Sequence, residues 1–322
     1  MQVFFKRVLI FLLPFILAAL FLEIYLRQIT TSYQVKENGL LSGIKNIELL
    51  ITGNSHAAFG IDPAQFNLNA YTIAQVNQSL YFDKRLTLKH LDSLKALKFV
   101  FIILDFHSLY FSSQDYRDNL SYYAYGINYK NRVSNLAKIS RLKGYPLKVA
   151  SSYIKRDWSK KYTKIGAVDV EDGVDLNRSI IKGWYSYAGT DQYGMSSNYC
   201  ETRANDFNLL VRVSKEKTAI LKDLEDFIHQ LMARNITPVL ITTPSYEPYR
   251  KKLNKKFLGQ NETDIRNLSL KFNLEYWNYF EAPLSENDFY DCDHLNYNGA
   301  IKFSKLLNQR LETTFKVSTH SN

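Results

Sequence analysis

The sequence predicts an α/β protein, a three-layer α/β/α sandwich on a parallel, flavodoxin-like five-stranded sheet. Short runs of branched apolar residues that stop on turn residues alternate with amphipathic stretches at helical spacing, a pattern that repeats about five times. One of these runs, Phe99-Val100-Phe101-Ile102-Ile103-Leu104, is apolar throughout, as a strand covered on both faces has to be. At 322 residues, 46% hydrophobic and 14% aromatic, the chain can bury one large core with an insertion, and composition excludes the disordered class.

The elements follow in order. Val8 to Leu22 is apolar apart from Pro14, with Lys6 and Arg7 before it and Glu23 and Arg27 behind it. With Val3 to Phe5 and Ile24 to Leu26 it approaches the ~20 residues that span hydrocarbon. Lacking a small-residue cleavage site, it reads as an uncleaved anchor over residues 1–27 rather than a signal peptide. Lys6 and Arg7 would stay cytoplasmic, leaving a single-pass protein with its domain outside the cytoplasm. Gln28 to Lys45 is polar and reads as a stalk, so the globular domain is expected over 46–322.

Ile47 to Thr52, ended by Gly53, is the first strand, and Ala70 to Ala74 the second. Leu80, Leu88, Leu91, Leu94 and Leu97 mark a helix packed on a sheet. After the third strand at Phe99 to Leu104, the alternation breaks from about 108 to 205. That stretch carries Tyr122, Tyr123, Tyr125, Tyr129, Trp184, Tyr185 and Tyr187, and reads as a helical and loop insertion at the carboxyl edge of the sheet, either a sugar-stacking platform or a seal onto the parent domain. Regular structure returns with a helix over Asp206 to Asn235, a strand bracketed by Pro238 and Pro244, a helix over Asp264 to Phe272, a strand at Leu274 to Trp277 and a closing helix from Tyr297 to Thr313.

Two stretches carry chemistry. Gly53-Asn54-Ser55-His56 sits where the first strand ends, and ligands of open α/β sheets bind outside the carboxyl ends of strands. Near the far end, Asp291-Cys292-Asp293-His294 places an acid three residues before a histidine. A serine hydroxyl needs a base within reach and a third group to orient that base. His294 and Asp291 can be those groups; the plain alternative is that they cap the closing helix.

The formal net charge is +10, and eleven Lys or Arg against Asp157 alone fall between Lys130 and Lys164. That suggests an anionic partner or membrane surface. No nucleic-acid-binding motif is present, and an anchored exported domain would rarely meet nucleic acid. Cys200 and Cys292 are too few for a disulfide scaffold and fit no zinc spacing, so no metal is implied. In an oxidising compartment they can pair, pinning the insertion to the Asp-His stretch; free thiols are the alternative.

On Gly53-Asn54-Ser55 and Asp291-x-x-His294, the chain resembles the SGNH (GDSL-like) hydrolase superfamily from Ile47 to about Thr313. Its anchored start and Gly-Asn-Ser-His form look most like the branch encoded with surface-polysaccharide and acyl-modification machinery, relatives of alginate acetylation and teichoic acid D-alanylation proteins. The resemblance implies an SGNH-type sheet and a Ser55 nucleophile with His294 as base and Asp291 as orienter. It also implies oxyanion or substrate contacts from Gly53, Asn54, Asn77, His56 and His107, and no cofactor. Two departures stand out. Asn54 replaces the usual acid, and the later blocks, normally a glycine and a Gly-x-Asn-Asp segment, are replaced by Gln75-Val76-Asn77-Gln78-Ser79 and Leu104-Asp105-Phe106-His107. The expected function is a serine esterase or O-acyltransferase on a cell-surface glycan, working beside a membrane acyltransferase. The rival is a catalytically silent glycan-binding or scaffold subunit.

Overall fold

The computed structural model describes residues 1–112, 117–145, 147, 150–151, 180–186 and 192–317. The chain divides into two compact units, one from Met1–Gln34 with Asp115–Val174 and one from Val35–Gln114 with Asp175–Asn322.

In the first unit, helix α1 (Gln2–Gln28) is largely apolar and is exposed from Gln2 to Phe21, with Leu26 buried at its carboxyl end. It is long and apolar enough to cross a membrane or to serve as a signal sequence. The stretch read as a stalk is instead helical, as α2 (Ser32–Gly43). From Val35 it belongs to the second unit, where Lys36 is 1% exposed and Tyr71 Oη donates to its carbonyl at 2.7 Å. Its apolar anchors, Leu40 and the flanking Ile44, are too few to stand out against the surrounding polar residues.

The second unit holds a five-stranded parallel sheet: β1 (Leu49–Thr52), β2 (Ala70–Thr72), β3 (Phe99–Ile103), β6 (Thr237–Thr242) and β7 (Tyr276–Asn278), in the order β2-β1-β3-β6-β7. Leu50 stands opposite Tyr71 and Val100, Val100 opposite Pro238, and Leu240 opposite Tyr276. Helix α3 (Ser55–Gly60) follows β1, and α4 (Leu80–His90) follows β2. One helical layer pairs α3 with the closing helix, the other α4 with a helix between β3 and β6. Leu49, Leu50 and Ile51 are wholly buried between the layers, which is why these strands read as continuous apolar runs.

α4 stops at His90, but Leu91, Leu94 and Leu97 remain buried in the turns beyond, so their spacing reported burial and not helix. In the first unit follow α5 (Arg117–Tyr125), α6 (Asn135–Ile139) and α7 (Arg141–Gly144). In the second, a hairpin of β4 (Ile180–Ile181) and β5 (Trp184–Tyr185) covers the free edge of β2, where Thr72 N donates to Lys182 O at 3.0 Å. Gly183 (φ 83) is required there, since a Cβ would lie 1.9 Å from Thr72 O.

The helix expected over Asp206 to Asn235 is two, α8 (Ser197–Val213) and α9 (Lys217–Met232), parted at Ser214, whose hydroxyl donates to Tyr110 O. After β6 come α10 (Glu247–Lys252) and α11 (Lys255–Phe272), the latter starting nine residues ahead of expectation because Asn254 caps it. The closing helix is α12 (Tyr297–Phe315). The expected insertion is therefore divided: of its described residues, those from 117 to 151 group with α1, and those from 180 to 205 with the sheet. Of its aromatics, Tyr125, Tyr129, Trp184 and Tyr185 are buried and serve as core, Tyr122 and Tyr123 are half-buried, and Tyr187 lies outside the described residues.

Candidate active site

The turn after β1 is built around Gly53. Its φ of 136° and an added Cβ only 2.8 Å from Ile103 Cβ leave room for no other residue. Asn54 then caps α3, its Oδ1 accepting from His56 N at 2.9 Å, and Ser55 becomes the first helical residue. Ser55 is half-buried, at the carboxyl edge of the sheet.

His294 arrives on the loop between β7 and α12. Its Nε2 lies 2.8 Å from Ser55 Oγ, and its Nδ1 lies 3.0 Å from both oxygens of Asp291. Asp291 is in turn held by the N–H groups of Asp293 (3.0 Å) and His294 (2.8 Å). A carboxylate at Nδ1 keeps the proton there, so Nε2 presents its lone pair to the serine hydroxyl. Neither residue caps α12; Asn296 does, accepting from Gly299 N.

Behind this row lies a second, buried network. Asp293 is wholly buried and accepts from Arg203, whose Nε lies 3.1 Å and Nη2 3.0 Å from one carboxylate oxygen, Oδ2, with Nε also 3.2 Å from Oδ1. Oδ2 also faces His56 Nε2 at 3.1 Å, while Oδ1 is 3.5 Å from His294 Nδ1. His56 Nδ1 lies 2.8 Å from Asp105 Oδ2, and Asp105 Oδ1 accepts from the N–H and hydroxyl of Thr243. Burial alone would depress the His56 pKa, but the charge and hydrogen bonds of Asp105 and Asp293 raise it to about 10. Against burial, the same contacts with His56 hold Asp105 below the usual carboxylate range, and Arg203, His294 and His56 do so for Asp293. His56 is thus a structural cation at neutral pH.

His107 is the opposite case. Burial, reinforced by the charge of His56, lowers its pKa to about 3, so its ring is neutral. The Asn54 amide nitrogen donates to Asp105 Oδ2 at 3.1 Å and faces His107 Nε2 at 3.2 Å. Nε2 is therefore the acceptor, and the ring proton sits on Nδ1. That Nδ1 is buried without a partner among the described residues, as is Ser79 Oγ. Both residues line a small cleft together with Asn54, Gln78, Asp83 and Phe111.

The remaining expected contacts fall elsewhere. Gly53 N donates to Asp83 Oδ1 at 3.0 Å and both ends of the Asn54 amide are engaged, so neither is open to a ligand. His56 likewise spends both nitrogens on carboxylates. Asn77 is exposed, its residue type accounted for by a left-handed backbone (φ 56) in the turn between Gln75 and Gln78, which is tight enough to need one.

His56, Asp293 and His294 offer ligand atoms within 4.8 Å of one another. The positive charge a metal would supply there already comes from Arg203 and protonated His56.

No family model matches the chain, and no curated protein matches it by sequence. Among solved structures, a candidate acylhydrolase from Bacteroides fragilis is 10% identical, with 83% of this chain and 88% of that one aligned and a TM-score of 0.38. A GDSL-like lipase from Bacteroides thetaiotaomicron is also 10% identical, over 87% and 98%, with a TM-score of 0.39. Likenesses this distant have no bearing on the chemistry, which rests on the contacts above.

Four residues of the site carried no sequence signal as members of it: Asp83, Asp105, Arg203 and Asp293. Arg203 comes from α8, one turn beyond Cys200, which is bonded to Cys292 with the Cα atoms 5.4 Å apart. The pairing left open by the sequence therefore pins α8 beside the Asp-His loop, and Cys200 was the one hint that this helix belongs to the site.

Proposed function

We propose that the chain is a membrane-anchored serine esterase or O-acyltransferase that acts on acyl groups of a cell-envelope glycan. The observation that carries this reading is the unbroken row from Ser55 Oγ through His294 to Asp291, with its 2.8 Å and 3.0 Å contacts. His294 Nε2 takes the Ser55 proton as Oγ adds to the ester carbonyl. It then returns that proton to the leaving oxygen, and an acyl group remains on Ser55. Water or a sugar hydroxyl, deprotonated in the same way, removes the acyl group. Asp291 balances the imidazolium, while Arg203 and protonated His56 offset the charge of the second carboxylate, Asp293, 3.5 Å from the same ring.

For the oxyanion, the donor in this reading is the Ser55 N–H, an orphan at the start of α3. The disulfide and the basic residues Lys6 and Arg7, ahead of the apolar run of α1, support a domain outside the cytoplasm. The engagement of Gly53 and Asn54 favours the second reading, a silent glycan-binding or scaffold subunit beside a membrane acyltransferase.

A serine-directed phosphonate separates the two readings. An enzyme is labelled at Ser55 and releases acetate from an aryl acetate, and Ser55→Ala abolishes both. His294→Ala costs nearly as much as Ser55→Ala, and the double variant little more, because the residues act as a unit. A folded protein that neither labels nor turns over is the silent subunit.

A further inference from the structure

The basic segment after residue 126 plays no part in the chemistry, and its surface is unlike that of a soluble domain. Among the described residues of α6, α7 and the stretch beyond, Leu136 is 65% exposed, Ile139 70% and Leu147 88%. Lys138 and Lys143 are exposed beside them, and no acidic residue occurs from Gly126 to Leu147. Adjacent exposed apolar residues ringed by one sign of charge mark an interaction surface. The segment is well formed underneath: Ala137 and Tyr145 are buried, Tyr123 Oη donates to Ala137 O at 2.6 Å, and the Arg141 guanidinium stacks on the Tyr123 ring.

Its position along α1 identifies what the surface meets. Glu23, near the carboxyl end of α1, accepts from Ser140 Oγ at 2.8 Å, Arg141 N at 3.0 Å and Leu142 N at 3.1 Å. Arg27 donates to Ile139 O and pairs with Glu23. The α6–α7 corner is thereby fixed at one level of the helix. α1 runs without a charge from Val8 to Leu22, about 22 Å at ~1.5 Å per residue, and Lys6 and Arg7 reach the far headgroups by snorkelling, so the span approaches the thickness of bilayer hydrocarbon. Glu23 then stands where the helix leaves the hydrocarbon, and the corner tied to it stands at headgroup depth.

We propose that α6–α7 is an interfacial element that lies in the headgroup region of the leaflet at the carboxyl end of α1. Leu136, Ile139 and Leu147 enter the upper acyl chains, and Lys138 and Lys143 pair with anionic lipid phosphates. The occupant is an anionic bilayer surface. This rests on the reading of α1 as an anchor, which makes the unit a span with a foot beside it. The sequence explains why four-to-five-residue helices with Leu and Ile on the outside persist: their apolar side chains need not face water.

The test uses the full chain reconstituted in phosphatidylcholine vesicles with and without phosphatidylglycerol. Cys200 and Cys292 are bridged, so an environment-sensitive fluorophore can be attached at one introduced cysteine: Ile139→Cys, Leu12→Cys in α1, or Leu270→Cys, exposed on α11. The probe at 139 is expected to be quenched by lipids spin-labelled high on the acyl chain and protected from aqueous iodide. The probe at 12 is expected to be quenched by deep-labelled lipids and the probe at 270 by iodide alone. In phosphatidylglycerol vesicles, Lys138→Gln and Lys143→Gln each lower the docked-to-free ratio by roughly fivefold. If 139 behaves like 270 while 12 is lipid-quenched, the foot is overturned and the anchor stands. If 12 is also reached by iodide, the anchor reading has failed and the foot with it. If 139 is shielded from both iodide and lipid, a protein covers the patch and the proposal is wrong.

Discussion

Replacing Arg203 by Met removes the guanidinium that faces Asp293 and leaves a carboxylate with 0% side-chain exposure. At about 3.0 Å and an effective dielectric near 20, the lost attraction is on the order of 5 kcal/mol before solvent responds. The Arg203 side chain is 33% exposed, so water enters the vacated space and offsets part of this. The low end of the range for breaking a buried pair, about 3 kcal/mol, is the expected loss of stability, or roughly 6–12 °C in Tm. A functional effect follows from geometry, because Asp293 Oδ1 is 3.5 Å from His294 Nδ1. Without Arg203 the uncompensated carboxylate beside the ring stabilises the imidazolium relative to the neutral base. The acid limb of kcat/KM for an aryl acetate therefore moves to higher pH, with activity recovered as pH rises. Arg203→Lys keeps the charge but not the two-pronged contact and recovers the limb more fully than the Tm. A Met variant with unaltered Tm and an unshifted limb would refute this account of the network.

Burial raises the pKa of Asp83 to about 7, against partial relief from Gln78 and Gly53. The folded state then binds more protons than the unfolded one between about pH 4 and 7, so stability falls as pH rises through that window, by on the order of 4 kcal/mol. Asp83→Asn keeps an acceptor for Gly53 N and should flatten that slope in denaturant titrations; an unchanged slope excludes Asp83 as its source. Reducing the Cys200–Cys292 bond, which closes 92 residues, should cost about 2–5 kcal/mol and loosen Arg203 from Asp293, read as a lower Tm and a shifted acid limb; a thiol-insensitive protein would contradict it.

The sheet was legible because buried parallel strands must be continuously apolar. Ile47 to Thr52 and Phe99 to Leu104 announce themselves, and parallel connection then restricts the order of strands. Boundaries were less legible wherever polar contacts set them: Ser214 splits one expected helix, and Asn254 starts another early. The helix in place of the expected stalk leaves little trace in sequence because its burial depends on single residues such as Lys36, whose Nζ is held by Ala74 O and the face of Tyr185.

By itself the sequence determined a doubly wound sheet, an apolar N-terminal segment, and a serine and an Asp-His pair at places where one sheet edge can gather them. Those conclusions come from periodicity and short spacing, which are local. Only the tertiary structure decided which polar atoms remain free. Gly53, Asn54 and His56 looked available and are consumed by Asp83, Asp105 and Asp293, whereas His107 keeps an open N–H because Asn54 claims its other nitrogen. Arg203 reaches the site from 88 residues before its nearest triad member in sequence, Asp291. Hydrogen-bond capacity and charge compensation depend on what folding packs alongside each group, and side chains that distant in sequence leave no periodic trace of the meeting.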